Sequence, residues 1–234
     1  MDRFFQNDKK IQNMKRIFTL LFLLPFLFAF QIMDKPNRVV FFGDSITEDG
    51  VRPGGYIVKM REILAEKKDT TFELIGSGIG GNKIYDLYLR HEKDVLAKKP
   101  DVVVIYVGVN DVWHKRTHGT GTDAEKFWNF YEALISKLQS AGIRLVLCTP
   151  ACIGEKTDCT NPQDGELNQY AQMIRDLAAQ YKCGLCDFRS AFLHYNTEQN
   201  KSNKDKGSLT TDGVHLNDAG NQLVAEMLLE KIRN

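Results

Sequence analysis

The sequence predicts an α/β protein, a five-stranded parallel sheet covered by helices on both faces. Short β-branched or aromatic runs alternate with stretches whose apolar residues recur at helical spacing, and alternating units of this kind build parallel sheets. The run Asp101–Val107 (DVVVIYV) is almost unbrokenly apolar, the pattern of a strand buried on both faces. The chain has 234 residues, 43% hydrophobic and 26% charged, which suits one domain with a substantial core.

The elements follow in order. Arg38–Phe42 is a first strand that stops at Gly43. Gly55–Lys68 is a helix with Ile57, Met60, Ile63 and Leu64 on one face, and Phe72–Ile75 is a second strand. Lys83–Leu96 is helical with Ile84, Leu87 and Val95 inward, and leads to the central strand Asp101–Val107. Asp123–Ser140 is a long helix with Phe127, Phe130, Leu134 and Leu138 at helical spacing. A fourth strand at Arg144–Cys148, a helix at Glu166–Tyr181 and a fifth strand at Gly184–Phe188 come next. Asn217–Ile232 closes the chain as a helix with Asn217 as N-cap. Asn196–Gly207, rich in Asn, Lys, Ser and Asp, reads as a mobile surface loop. No repeat or linker interrupts residues 34–234, which read as one domain.

Residues 1–33 differ from the rest. Lys9, Lys10, Lys15 and Arg16 precede an apolar run from Ile17 to Phe30, the layout of a signal peptide. As a helix this run would reach only ~21 Å, short of a ~30 Å hydrocarbon core. No cysteine follows it, which argues against a lipid anchor, and the sequence around Phe30 lacks a clean small-x-small cleavage pattern. The expectation is export to the periplasm or the extracellular space, with no stable membrane insertion once the leader is removed; an uncleaved hydrophobic anchor over residues 1–33 is the alternative. The leader carries five basic and two acidic residues, so its loss takes the net charge from +1 to about −2. No block of like charge runs through the chain, which excludes an electrostatic argument for nucleic acid.

Five cysteines, an odd and sparse set, do not make a disulfide scaffold. Cys152 and Cys159 share one polar loop and are the pair that export would let bridge. Cys183 and Cys186 have redox-motif spacing but run into a strand, and read as small buried hydrophobes.

Ligands of such sheets sit at the carboxyl ends of the strands. Three loops stand out by that rule, Gly43-Asp44-Ser45-Ile46-Thr47, Gly76-Ser77-Gly78-Ile79-Gly80-Gly81-Asn82 and Gly108-Val109-Asn110-Asp111; a fourth, Asp212-Gly213-Val214-His215, precedes the last helix and reaches the same rim if that helix packs back beside the first. Acyl transfer needs a nucleophile, a base, a group to orient the base, and donors for the oxyanion. Ser45 supplies a hydroxyl and His215 an imidazole. Asp212, three residues earlier, can reach that imidazole and hold its tautomer. The backbone N–H groups of Ser45 and Gly81 and the side-chain amide of Asn110 are candidate oxyanion donors.

Each feature has a duller reading when taken alone. Gly-Asp-Ser after a strand is a helix-capping turn, Asn110-Asp111 a plain turn, and Asp212 with His215 a helix start bearing a surface histidine. Gly76, Gly78 and Gly81 fit a dinucleotide fingerprint, but they follow the second strand and no acidic residue ends the third. The joint occurrence in chain order favours the catalytic reading. Asp44 reads better as a loop organiser than as a second acid. Arg90 either pairs with a nearby carboxylate or touches substrate. His91, His114, His118 and His194 have no comparable support as catalytic groups.

The blocks FFGDSIT, IGSGIGGNKIYDLYLR, YVGVNDVW and DGVHLNDAG, in this order, resemble those of the GDSL or SGNH hydrolases. The resemblance runs from about Arg38 to the C-terminus. It implies a flavodoxin-like three-layer sandwich, no cofactor and no metal. It also implies Ser45 as nucleophile, Gly81 and Asn110 as oxyanion donors, His215 as base and Asp212 as triad acid. The chain departs from the family pattern at Gly76 or Ser77, where an asparagine is common, at Ile46 in place of leucine, and at Leu216 in place of proline.

For substrate, no long lid or apolar insertion follows the nucleophile. Arg52, Tyr56, Trp113, His114 and Arg116 make a polar and aromatic rim suited to sugars, to which Asp44 is added. Similar exported family members often remove acetyl groups from polysaccharides. The reading is a serine esterase for short-chain esters, O-acetyl groups on carbohydrates above all, with a small-molecule or carbohydrate ester as its partner. A lysophospholipase or thioesterase, an acyltransferase, and a non-catalytic carbohydrate-binding relic are the alternatives.

Overall fold

A computed structural model describes residues 35–233. The expected leader lies outside the described residues. Among the described residues no helix is long and apolar enough to cross a membrane.

The first strand, β1 (Asn37–Gly43), runs into a five-residue helix, α1 (Ser45–Asp49). Then come α2 (Tyr56–Glu66), β2 (Phe72–Gly78), α3 (Ile84–Asp94) and a 3-10 turn at Leu96–Lys98. The second half comprises β3 (Val102–Tyr106), α4 (Val109–Thr117), α5 (Ala124–Ser140) and β4 (Arg144–Cys148). It ends with α6 (Asp164–Gln180), β5 (Gly184–Cys186), α7 (Phe188–Gln199) and α8 (Asp218–Arg233).

All five strands pair in parallel, in the order β2-β1-β3-β4-β5. This is the flavodoxin-like order, and β1 and β3 flank its switch point. Register places Gly78 beside Gly43, Gly43 beside Tyr106, Tyr106 beside Cys148 and Cys148 beside Cys186. The carboxyl ends of the strands therefore form one row. Central β3 is buried along its whole length, as its unbroken apolar run requires. Helices α2 and α8 pack together, while α3 lies against α5 and α5 against α6.

Three helices escape the sequence reading, each for a local reason. Helix α1 is too short to show a period. Helix α4 buries Val109, Asn110, Asp111 and Val112 consecutively, polar residues included, so no apolar stripe marks it. Helix α7 buries Arg189 among Phe188 and Phe192, and a charge at a core position breaks the apolar pattern. Arg189 is accommodated because its guanidinium donates to Asp164 Oδ1 at 2.7 Å, Asn168 Oδ1 at 2.7 Å and the Ala151 carbonyl at 3.2 Å. The fifth strand accordingly stops at Cys186 instead of reaching Phe188.

The expected mobile loop at Asn196–Gly207 is also corrected. Asn196 and Gln199 belong to α7, and Asn196 and Asn200 are buried. The Asn200 amide donates to the carbonyls of Glu155 and Lys204, which pins the segment to the body.

No bridge joins Cys152 and Cys159; all five cysteines are free. Cys152 is buried and its thiol points at the Gly213 carbonyl, 3.5 Å away, whereas Cys159 lies in an exposed turn. Cys148 and Cys186 are buried as small hydrophobes, while Cys183 is half-buried.

Candidate active site

The nucleophile candidate owes its position to two devices. Asp44 is buried and its carboxylate accepts from the Ile46 N–H at 3.0 Å, capping α1. Ser45 thereby becomes the first helical residue, where the backbone N–H has no intrahelical acceptor and remains available to a ligand. The second device is Gly78, which lets the β2 loop lie against α1. A Cβ there would sit 2.1 Å from the Glu48 nitrogen.

The Ser45 Oγ lies 2.9 Å from His215 Nε2, and His215 Nδ1 lies 2.7 Å from Asp212 Oδ2. An ionised carboxylate only accepts, so Nδ1 carries the proton of the neutral ring and Nε2 presents its lone pair to the serine O–H. Asp212 Oδ1 also accepts from the backbone N–H groups of Val214, at 2.9 Å, and His215, at 2.8 Å. Burial alone would raise the Asp212 carboxyl, but these bonds from His215 and Val214 outweigh it and hold it below its usual range. Asn217 caps α8 as its sequence position implies, accepting from the Gly220 N–H at 3.0 Å. Lys59 on α2 pairs with Asp218, so α8 brings the Asp212–His215 loop back beside the first block.

The loop after β2 is held from both sides. Its Gly80 N–H donates to Glu48 on α1 at 2.7 Å, and its Ile79 N–H donates to the Gly43 carbonyl at 3.2 Å. Gly81 turns the loop at φ +75, a conformation that glycine adopts without strain. Asn110, buried at the start of α4, donates one amide hydrogen to the Asn82 carbonyl at 3.1 Å. Asp111 accepts from the Ile84 N–H at 3.2 Å, so the third block is tied to the second twice.

Arg90 is a structural tie. Its guanidinium donates to Gly43 O, Ser77 O, Asn82 Oδ1 and Asp94 Oδ2 at 2.7–3.2 Å. One side chain thus joins the end of β1, the end of β2 and the residue after Gly81. The sequence offers only an arginine of helical spacing as a signal for this role.

The substrate-binding candidates separate. Trp113 meets His215 edge to face, with ring centroids 6.1 Å apart. The His114 ring is the side chain nearest to where a Cβ on Gly81 would sit, at 3.9 Å. Burial, then the charges of Lys83 and His118, push the His114 imidazole down, so it favours its neutral form. Arg52 is exposed, pairs with Asp49 at 2.7 Å, and borders a groove of about 450 Å3 together with Thr211, Leu216 and Asn217. Tyr56 is placed elsewhere: it is fully buried, packs on Phe41 and donates to Thr47 Oγ1 at 3.1 Å. Asp44, buried under α1, is likewise the loop organiser and not part of the rim.

Burial pushes the Asp44 carboxyl up to about 7 against the lowering effect of the Ile46 N–H, and nearby Asp111 adds to the rise. Burial likewise pushes Asp111 up to about 6. Between the ordinary value near 3.8 and about 7, the folded protein therefore holds protons that the unfolded chain has released. Stability contributed by these groups falls as pH rises through that window. An Asp44→Asn variant keeps an oxygen for the Ile46 N–H. Its Tm is expected to gain on the parent as pH rises from about 5 to about 8, measured by scanning calorimetry; a constant difference would refute the assignment.

A parallel sheet bearing a serine–imidazole–carboxylate line on its carboxyl rim has the geometry of acyl transfer. Residues 41–223 match the GDSL-like Lipase/Acylhydrolase family, and the chain belongs to that family. It is a carboxylic ester hydrolase. Its structure is similar to the crystal structure of an acetyl xylan esterase, AlAXEase, with a TM-score of 0.82 and 61% sequence identity, over 82% of this chain and 98% of that one. The sequence is 28% identical over 213 residues to an acetylxylan esterase of Geobacillus stearothermophilus, covering 84% of this chain and 94% of the other. Two solved structures of an acetylxylan esterase from that organism are catalytic mutants, with alanine replacing a histidine in one and an aspartate three positions earlier in the other. An uncharacterized lipoprotein of Bacillus subtilis is 24% identical over 89% of this chain and 95% of its own.

Proposed function

We propose that the chain is an acetylesterase that removes O-acetyl groups from carbohydrates, with xylan or xylo-oligosaccharides as the polymer class. The observation that carries the mechanism is the unbroken line from Ser45 Oγ through His215 to Asp212, with links of 2.9 and 2.7 Å. His215 Nε2 takes the serine proton as Oγ attacks the acetyl carbonyl carbon. The oxyanion that forms accepts from the Ser45 and Gly81 N–H groups and the Asn110 amide. The carbon–oxygen bond to the sugar then breaks, the imidazolium gives its proton to the departing sugar oxygen to make a hydroxyl, and an acetyl-serine remains. Water, deprotonated by the same imidazole, attacks that ester, and acetate leaves as the imidazolium returns the proton to Ser45 Oγ.

The aspartate and histidine whose loss defines the catalytic mutants of the Geobacillus enzyme have the same order and spacing as Asp212 and His215, which supports the assignment. The substrate class is supported by the two acetylxylan esterases and by Trp113, half-buried and edge to face with the imidazole, an aromatic ring of the kind that packs on sugars. Export fits the basic and apolar leader, and a polymer outside the cell requires it.

Nitrophenyl esters of increasing chain length, run beside acetylated xylo-oligosaccharides, test the reading. The expected result is a steep fall in kcat/KM beyond the shortest acyl groups together with acetate release from the oligosaccharides. A preference for long acyl chains would move the substrate class to lysophospholipids or thioesters.

A further inference from the structure

On the reading of Ser45 and His215 given above, we infer that Glu155 is a positioning residue for the hydrolytic reaction, acting through the loop that carries Asp212 and His215. Glu155 follows the Cys152–Gly154 stretch beyond β4 and is 1% exposed. Its carboxylate accepts four hydrogen bonds from one short segment. The Ser208 N–H reaches Oε2 at 2.7 Å, and the Leu209 and Thr210 N–H groups reach Oε1 at 2.7 Å each. The Thr210 hydroxyl adds a bond to Oε1 at 2.9 Å. Three successive backbone N–H groups wrapped on an anion form a nest, and here the anion belongs to the protein itself.

The fourth bond extends this to the active site. An ionised carboxylate only accepts, so the Thr210 hydroxyl must spend its proton on Glu155. Its lone pair is thereby turned outward, and it accepts from the Gly213 N–H at 3.0 Å, between Asp212 and His215. The Gly213 carbonyl in turn accepts from the Gly154 N–H at 2.9 Å, so residues 154 and 155 grip both sides of the turn. Beyond it, Thr211 donates to the His215 carbonyl at 2.8 Å. Asp212 and His215 are themselves partly exposed, at 46% and 29% of their side chains, while Gly213 and Val214 between them are buried against the body. The anchor beneath must supply the registry of the imidazole with Ser45.

Glu155→Gln tests this. It replaces Oε2 with an NH2 group that faces the Ser208 N–H donor to donor, while one oxygen remains for Thr210. Thr210→Val, of matching shape, removes only the hydroxyl link and serves as a milder second variant. Turnover is expressed per active site, titrated with a fluorophosphonate that labels the serine, alongside Tm and with Ser45→Ala as control. Because a shift of about 1 Å in a catalytic group costs on the order of 100-fold, kcat per titrated site is expected to drop roughly 10- to 100-fold for Glu155→Gln and by a smaller factor, still above about threefold, for Thr210→Val. KM is expected to change less than about twofold, because no substrate contact is touched. If the surviving titratable sites turn over at the parental rate, Glu155 merely stabilises the fold and the inference is overturned. If Ser45→Ala itself remains active and labels, the underlying assignment of the nucleophile fails instead.

Discussion

Replacing Ser45 with alanine is expected to lower kcat for acetyl esters by roughly 10^5- to 10^6-fold while leaving the fold in place. The magnitude is that of losing a nucleophile whose base and orienter act only through it. What remains is attributable to oxyanion donors and substrate binding, which alone retain roughly 10^3- to 10^4-fold over water in enzymes of this type. The Ser45 hydroxyl bonds to the His215 ring, which is partly open to solvent, so its loss leaves no fully buried group unpaired. Tm is therefore expected to move by no more than about 2 °C. Steady-state kinetics and calorimetry on the one variant check both halves. Retention of more than about a tenth of the activity would assign the attack to another group.

His215→Ala is expected to cost nearly as much, and the double variant with Ser45→Ala no more than either alone. A hydroxyl without its base and a base without its hydroxyl are equally idle, so the losses cannot add. The third member differs in degree. An asparagine in place of a buried triad aspartate costs about 10^4-fold by favouring the wrong tautomer. Asp212 is 46% exposed, and water can partly replace it at Nδ1, so Asp212→Asn is expected to lose less, roughly 10^2- to 10^3-fold. Kinetics on the three single variants and the double give the ordering. Additive losses for Ser45 and His215 would show that they work independently.

The alternation of strands and helices was legible because it rests on burial. The run at Val102–Tyr106 could only be central, and the periodic face of α5 could only lie inward. Three of the blocks are legible for a related reason: strand ends in a parallel sheet fall in one row, so chemistry placed at each converges, whereas Asp212–His215 follows no strand and joins them because α8 packs beside α2. Residues outside these two rules could not be read. Arg90 and Glu155 act by joining backbone atoms far apart in sequence, and neither an arginine on a helix nor a glutamate in a loop announces such partners. Tyr56 is expected at the rim, but its place in the helical pattern does not say which way its ring turns. In the folded chain it begins α2 with its ring against Phe41 and its hydroxyl satisfied by Thr47. The Cys152–Cys159 pairing relied on nearness in sequence, whereas the Cys152 thiol is turned inward to Gly213.

The imidazole of His215 keeps about 29% of its surface in solvent, flanked by Trp113 on one side. On the function proposed above, the ester meets its base close to the protein surface. A long, stiff polymer can lie across it and offer a pendant ester at any point along its length, without threading or bending. A pendant group in mid-chain is then as reachable as one at an end.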